Sequence, residues 1–169
     1  LLKGGNAIDA AVTVATTLPV VEPTGNGLGS DCFAIIWYKG KLYGINGSGP
    51  APLANSVAAL KARGFEKIPS YGVEPVNVPG AVGGWMAMHE RFGSMDLDEV
   101  MKPAIFYAEN GFPVSPNISR LWEEAFGIYS KYKDRPEFAP WFETFAPKNT
   151  WLRPGEMFAN PDMAKSLRL

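Results

Sequence analysis

The sequence of 169 residues contains a single cysteine and a single histidine, and its 16 basic side chains nearly balance its 17 acidic ones. One cysteine cannot build an internal disulfide framework, and one histidine with one cysteine argues against a His/Cys metal site. A chain without a basic excess lacks the charge that nucleic-acid-binding domains use to neutralise phosphates. No apolar run approaches the roughly 20 residues of a membrane-spanning helix. We therefore expect no metal, no nucleic-acid partner and no membrane partner.

The residues that are present describe a turn-rich globular chain. Hydrophobic residues make up 46% of the sequence and aromatic residues 12%, alongside 18 glycines and 15 prolines. This apolar content is too high for a disordered chain, and the length corresponds to one domain. Gly4-Gly5 is typical of a helix C-cap, and Asn160-Pro161 is typical of a helix start. Both helices would be cut short, so we predict that residues 1–169 form a single incomplete domain of a longer polypeptide.

The first third of the chain predicts a helix followed by a β-hairpin. Residues 6–18 carry alanine and valine on most sides, which predicts a helix buried on several sides that Pro19 ends. Cys32–Tyr38 is a continuous apolar run with β-branched and aromatic members, as in a buried strand. Lys39-Gly40-Lys41 predicts a hairpin turn, and residues 42–45 predict the returning strand.

The remaining residues predict mostly helices, so the sequence as a whole indicates an α+β fold. Ala81–Phe92 has helical apolar spacing, and Ser115-Pro116 is typical of a helix start. Asp96 and Glu99 have the spacing of a capping box at the start of another helix. The aromatic- and proline-rich residues 136–151 are expected to be irregular and to cover the core, with a partner surface as the alternative.

Gly25, Gly27 and Gly29 form a G-x-G-x-G loop that invites comparison with nucleotide-binding loops. Such loops hold phosphate at the N-terminus of the helix that follows them, whereas a strand is predicted to follow here. The pattern therefore favours a tight connection between a helix and a strand, or a loop that lines a ligand cleft, over a dinucleotide site.

Three side chains with catalytic potential have a simpler structural interpretation. His89 falls at helical spacing with Trp85 and Phe92, which favours a half-buried structural histidine, and no second histidine exists for a proton relay. Cys32 opens an apolar strand, which favours a buried and unreactive thiol over a nucleophile. Ser48 lies in a glycine-flanked turn and lacks the G-x-S-x-G pattern of a nucleophile elbow. The residues alone indicate no complete catalytic apparatus.

Six short segments follow one another in the order of the motifs of a known enzyme family. They are residues 4–12 (GGNAIDAAV), 22–29 (EPTGNGLG), 51–52 (AP), 78–85 (VPGAVGGW), 103–114 (PAIFYAENGFPV) and 162–167 (DMAKSL). Each segment is short, but the ordered set covers nearly the whole chain and resembles the N-terminal part of the large subunit of γ-glutamyltranspeptidases. By this resemblance the sequence is identified as a member of that family.

The resemblance implies a fold and a mechanism. γ-Glutamyltranspeptidases are N-terminal-nucleophile hydrolases, whose fold is a four-layer αββα sandwich. Their precursor cleaves itself, and a threonine at the new N-terminus of the small subunit attacks the substrate amide with its own α-amine as base. No threonine of this chain matches that motif, so the resemblance implies an acyl-enzyme whose nucleophile lies outside residues 1–169. It implies no cofactor, and its partners are an amide or γ-glutamyl substrate and the remaining large- and small-subunit segments.

The resemblance also indicates where the substrate would bind. In γ-glutamyl-specific members an arginine three residues before the Ala-Pro motif binds the substrate α-carboxylate, and Ser48 stands at that position here. Asn46 and Gly47 are predicted to border the substrate with Ser48, and no catalytic or metal-binding residue is assigned. Three functions stay open. They are a γ-glutamyl hydrolase/acyltransferase, a related amidohydrolase or acylase for another acyl group, such as an oxamate-like or cephalosporin side-chain amide, and a non-catalytic scaffold.

Overall fold

A computed structural model describes all of residues 1–169 and contains seven α-helices and two small antiparallel sheets. None of the helices combines the length and the apolar character needed to cross a membrane. In chain order the elements are α1 (Ala7–Val21), β1 (Cys32–Tyr38), β2 (Lys41–Gly47), α2 (Val57–Ala62), α3 (Ala81–Phe92), α4 (Leu97–Asn110), β3 (Phe112–Pro113), α5 (Pro116–Tyr129), α6 (Ala139–Phe145), β4 (Met157–Phe158) and α7 (Pro161–Leu167).

Helix α1 forms as predicted but continues past Pro19, where we expected it to end. A proline inside a helix removes one backbone hydrogen bond, here to the carbonyl of Ala15. The loss is small at this place because only the last turn follows Pro19, and the buried side chain of Val20 packs that turn into the core. The helix is also less buried than predicted, since Val14 is 56% exposed.

The start of α1 is attached to the connection between α3 and α4 through Asp9. Asp9 is 2% exposed, and its carboxylate accepts hydrogen bonds from the backbone amides of Asn6, Ser94 and Met95 and from the Ser94 hydroxyl. Burial alone would raise the pKa of Asp9, but these hydrogen bonds outweigh it and lower the pKa from 3.8 to about 2. The carboxylate therefore acts as a tertiary contact as well as a helix cap.

Strands β1 and β2 form the predicted hairpin, whose turn residues Lys39 and Gly40 both have positive φ angles, 48° and 78°. These angles belong to the type I′ turn that matches the twist of a two-residue hairpin. The inner face of the hairpin packs on α1 and α3 with the buried side chains of Cys32 and Ile36. The outer face is apolar yet open to solvent, with side chains 67% to 83% exposed at Phe33, Ile35, Trp37 and Leu42.

A second apolar cluster lies among α4, α5, α7 and the small β3–β4 sheet, and Trp122 is its largest fully buried side chain. The aromatic residues 136–151 cover this cluster, which confirms one prediction about them. They are not irregular as we expected, because Ala139–Phe145 is helical. Trp141 and Phe145 lie four residues apart and therefore on one face of that helix, where both pack against the cluster.

The predicted capping box at the start of α4 does not form. Asp96 is the N-cap residue, but its side chain makes no capping hydrogen bond. Glu99 pairs instead with Lys102, one helical turn further along the surface. The spacing of Asp96 and Glu99 is compatible with a capping box or with a Glu99–Lys102 pair. The pair forms because the Lys102 ammonium gives the Glu99 carboxylate a charged partner.

Asp9→Asn is expected to destabilise the protein by about 2 kcal/mol at pH 7, because the charge-assisted hydrogen bonds to Ser94 and Met95 are weakened. The carboxyl pKa is lower in the folded state, so Asp9 stabilises the fold above its unfolded pKa, and that stability is lost as the pH falls from 3.8 toward 2. Thermal unfolding at pH 7 and pH 3 measures both effects. Asp98→Asn, at an exposed position of α4, is the control, and equal melting temperatures for both variants at pH 7 would contradict the prediction.

Candidate functional site

The hairpin brings two glycine-rich loops to one edge of the molecule. Strands β1 and β2 are antiparallel, and Cys32 at the start of β1 pairs with Gly47 at the end of β2. The loop that precedes β1 and the loop that follows β2 therefore join the hairpin side by side. The first is residues 25–31 and the second, the candidate substrate loop, is residues 46–52. The sequence predicted that both would border a cleft, and the structure places them side by side.

A third segment, residues 78–80, connects both loops by backbone hydrogen bonds. The amide of Val78 donates to the carbonyl of Pro50 over 3.0 Å. The amides of Gly80 and Ala81 both donate to the carbonyl of Ser30, over 3.3 and 2.8 Å. Gly80 is the N-cap of α3, so the first turn of that helix is attached directly to the two loops.

Glycine is required where these segments meet because their backbones touch. A Cβ atom on Gly80 would lie 2.2 Å from the carbonyl oxygen of Gly47, and one on Gly47 would lie 2.9 Å from the carbonyl oxygen of Gly80. Gly49 has a φ of 64°, and its Cβ would lie 1.8 Å from the carbonyl oxygen of Val78. These distances are shorter than real Cβ contacts, so side chains are excluded from the junction and the backbone itself forms the wall.

The predicted substrate residues occupy the rim of this junction. The side-chain oxygen of Asn46 accepts a hydrogen bond from the amide of Ser48 over 3.0 Å, which closes a local turn. Ser48 is half-buried, and its hydroxyl makes no hydrogen bond within the chain, whereas Asn46 is exposed. The loop can therefore offer one hydroxyl group and one amide NH₂ group to a ligand.

The candidate substrate loop is electrically neutral. No lysine, arginine, aspartate or glutamate occurs between residues 42 and 60. Of the amides at the start of α3, those of Gly80 and Ala81 already donate to the carbonyl of Ser30. The loop thus supplies no charge-assisted hydrogen bond for a carboxylate.

The first glycine-rich loop is organised by an acidic side chain. The carboxylate of Glu22 accepts hydrogen bonds from the hydroxyl of Thr24 and from the side-chain NH₂ group of Asn26. The loop leads into β1 rather than into a helix, as the sequence predicted, and the Glu22 carboxylate beside its first residues would repel a phosphate. Both observations favour a connection that lines a cleft over a dinucleotide site.

The two side chains interpreted as structural are confirmed in that role. A ring nitrogen of His89 lies 2.9 Å from the carbonyl oxygen of Met95, which ties α3 to the connection before α4. Cys32 is buried against α3 beside Gly84, and burial raises the pKa of its thiol, which opposes formation of a reactive thiolate. The structure contains no group of three or more histidine, cysteine or acidic side chains that could hold a metal ion.

Sequence reasoning missed two features of the site. It did not assign Glu22 as the organiser of the first loop, nor Gly80 as the contact of the substrate loop. The Glu-Pro-Thr-Gly order at residues 22–25 was the available indication of the first, because an ionised carboxylate is an acceptor for a hydroxyl two residues away. No local pattern pairs Gly80 with Gly47, since the contact is between backbones far apart in sequence.

Comparisons with known proteins agree on one family. The family profile described as gamma-glutamyltranspeptidase matches residues 1–169. The glutathione hydrolase proenzyme of Pseudomonas aeruginosa is 32% identical over 99% of this chain and 29% of its own length. The glutathione hydrolase-like YwrD proenzyme of Bacillus subtilis is 36% identical over 99% of this chain and 31% of its own length. The chain therefore spans about a third of the length of the curated relatives it matches.

Solved structures give the same result. The crystal structure of cephalosporin acylase from Bacillus halodurans is 47% identical and superimposes with a TM-score of 0.96 over 99% of this chain and 31% of that chain. The α+β class predicted from the sequence is confirmed, and the chain has the fold of the corresponding part of N-terminal-nucleophile hydrolases.

Gly80→Ala and Gly83→Ala are expected to have opposite effects, although both add one methyl group near the start of α3. At Gly80 the methyl group collides with the backbone of Gly47, and we expect a loss of about 2 kcal/mol and a displaced substrate loop. At Gly83 no atom lies within 4 Å, and the higher helix propensity of alanine is expected to add up to about 1 kcal/mol. Melting temperatures of the two variants check this, and a Gly80→Ala variant as stable as Gly83→Ala would contradict it.

Proposed function

The chain belongs to the gamma-glutamyltranspeptidase family, and from that premise we propose that the protein containing it is an amide hydrolase and acyltransferase. The reaction passes through a threonyl acyl-enzyme, and the threonine lies outside residues 1–169. Support comes from the relatives, which are named hydrolases, acylases and proenzymes. The residues present contribute one wall of the substrate cleft and none of the bond-breaking groups.

The neutral candidate substrate loop is the observation on which the choice of acyl group rests. A γ-glutamyl group carries an α-carboxylate, and a buried carboxylate needs a cationic or multiple hydrogen-bonding partner. Ser48 offers a single hydroxyl, and no cation lies anywhere between residues 42 and 60. We therefore propose an acyl group without an α-carboxylate. The likeness to a cephalosporin acylase supports this choice, and the likeness to glutathione hydrolases supports a γ-glutamyl group as the second candidate.

The outer face of the hairpin supports the proposal that further segments of the same precursor are the protein partners. Phe33, Ile35 and Trp37 project from β1 and Leu42 from β2, and together they form a continuous apolar stripe. A stripe of this kind on a sheet is stabilised by a second layer packed face to face. The proposed domain organisation, a single domain that is completed by those segments, accounts for the exposure.

Self-processing is the first test of the proposed function. The complete gene product is expected to convert into two fragments on incubation, with threonine as the first residue of the smaller one, and the fragments are expected to copurify. Intact-mass measurement and N-terminal sequencing before and after incubation follow the conversion. A chain that stays uncleaved and inactive would contradict the proposal and favour the scaffold.

Ser48→Arg is expected to raise kcat/KM for a γ-glutamyl anilide by about tenfold or more, because it restores a charge-assisted partner for the α-carboxylate. The substrate pair is γ-glutamyl anilide and an anilide of a neutral acyl group, both measured on the processed protein. Ser48→Gln is the matched control, since it adds a long polar side chain without charge.

The wild-type protein is expected to prefer the neutral acyl anilide. A wild-type preference for the γ-glutamyl anilide would overturn the choice of acyl group while leaving the proposed reaction type intact. Melting temperatures of both Ser48 variants show whether either substitution disturbs the fold.

A further inference from the structure

Four aromatic rings form a closed circuit on the side of the molecule that carries the end of α5. The centroid distances are 6.0 Å from Tyr71 to Tyr129, 5.6 Å from Tyr129 to Phe138, 5.1 Å from Phe138 to Tyr132, and 5.6 Å from Tyr132 back to Tyr71. One pair is edge-to-face, one is stacked and two are tilted, and together these contacts restrict the orientations of the rings. Phe138 is buried, whereas the three tyrosines of the circuit keep part of their surface exposed.

A cavity of about 320 Å³ opens beside this circuit. Its walls include the rings of Tyr71, Tyr129 and Phe138 and the aliphatic side chains of Val73 and Val76. The hydroxyls of Tyr71 and Tyr129 make no hydrogen bond within the chain, so both are available to a ligand. Burial raises the pKa of Tyr129, which keeps that hydroxyl protonated and able to donate.

The one charged side chain that lines this tyrosine cavity is already paired with a neighbouring cation. The Arg135 guanidinium lies 5.7 Å from the ring centroid of Tyr132 and 5.4 Å from that of Phe138, so a cation already occupies the aromatic faces there. Glu137, which lines the cavity, is paired with Arg135, so the pair is neutral overall.

The tyrosine cavity adjoins the candidate substrate loop through one short segment. Val73 and Val76 form a turn, with the amide of Val76 donating to the carbonyl of Val73 over 3.3 Å. Two residues later Val78 donates to Pro50 of the loop. Two residues of extended chain span about 7 Å at most, so the valine wall of the cavity lies close to that loop.

We propose that the tyrosine cavity is a specificity site that binds a neutral aromatic group of the substrate. The aromatic walls supply stacking and the two free hydroxyls supply hydrogen bonds, and no unpaired charge lines the cavity to favour an ion. The inference rests on the proposed function, because it assigns the cavity to the substrate of that reaction. Tyr71 and Tyr129 are the residues that determine the preference.

The aromatic group can belong to the acyl side or to the amine side of the amide, and two substrate pairs distinguish these sources. N-Benzylacetamide and N-(cyclohexylmethyl)acetamide place the ring on the amine side and release amines of similar basicity. 2-Phenylacetamide and 2-cyclohexylacetamide place it on the acyl side. The complete processed protein is expected to prefer the aromatic member of one pair by about tenfold in kcat/KM, and that pair identifies the source.

Tyr71→Ala and Tyr71→Leu are expected to reduce that preference to about twofold or less, because both remove the ring and Tyr71→Leu keeps much of the apolar volume. Tyr107→Ala is the matched control, since Tyr107 lies on α4 and does not line the cavity. Melting temperatures confirm that the variants are folded. A preference that survives both Tyr71 substitutions, or no preference in either pair, overturns the proposal.

Binding without catalysis separates this proposal from the proposed function. Saturation-transfer NMR with p-cresol, against 4-methylcyclohexanol as the saturated counterpart, detects binding of a neutral ring that contains no amide. Binding of p-cresol that is lost in Tyr71→Leu and kept in Tyr107→Ala supports the cavity even if no amide is hydrolysed. Equal binding of both alcohols, or p-cresol binding that Tyr71→Leu does not change, overturns it.

Discussion

The contact between the backbones of Gly47 and Gly80 is the constraint on which the first half of the structure depends. It joins the end of the hairpin to the start of α3, and a methyl group at either position would separate them. Because α3 packs on the inner face of the same hairpin, this contact also sets how deeply Cys32 and Ile36 are buried. The same contact holds the candidate substrate loop against the segment that leads into α3, while Asn46 and Ser48 keep their side chains at the rim.

The burial of the hairpin is asymmetric, and this asymmetry links the fold to the proposed partners. Its inner face meets α1 and α3, whereas Phe33, Ile35 and Trp37 on the outer face meet solvent. Burying each such side chain is worth about 1.5–3 kcal/mol, so leaving three of them exposed forgoes a large part of a typical domain's stability. A second layer over this face would recover that energy, as the proposed domain organisation requires.

Elements with strong local patterns could be predicted from the sequence, and elements that depend on distant contacts could not. The apolar run of β1 and the turn at Lys39 and Gly40 are local, and both are confirmed. Helix α1 passes through Pro19 because of packing by Val20, which no local rule contains. The tertiary bond from Ser94 to Asp9 joins residues 85 positions apart, so the sequence showed Asp9 only as a helix residue. For the candidate site, the sequence indicated Ser48, whose role stays a prediction, but it did not indicate the backbone segment 78–80 that contacts its loop.

A site without a fixed charge must obtain its selectivity from shape. A charge-assisted hydrogen bond contributes about 1.5–3 kcal/mol, while an aromatic pair contributes about 0.5–1.5 kcal/mol beyond the area it buries. One arginine can therefore recognise a small polar group such as an α-carboxylate, whereas a neutral loop needs a larger contact surface to reach the same affinity. The tyrosine cavity, close to the loop through Val76 and Val78, offers such a surface. Under the proposed function, the uncharged Ser48 and the rings of Tyr71 and Tyr129 are two parts of one specificity, for a bulky and uncharged amide.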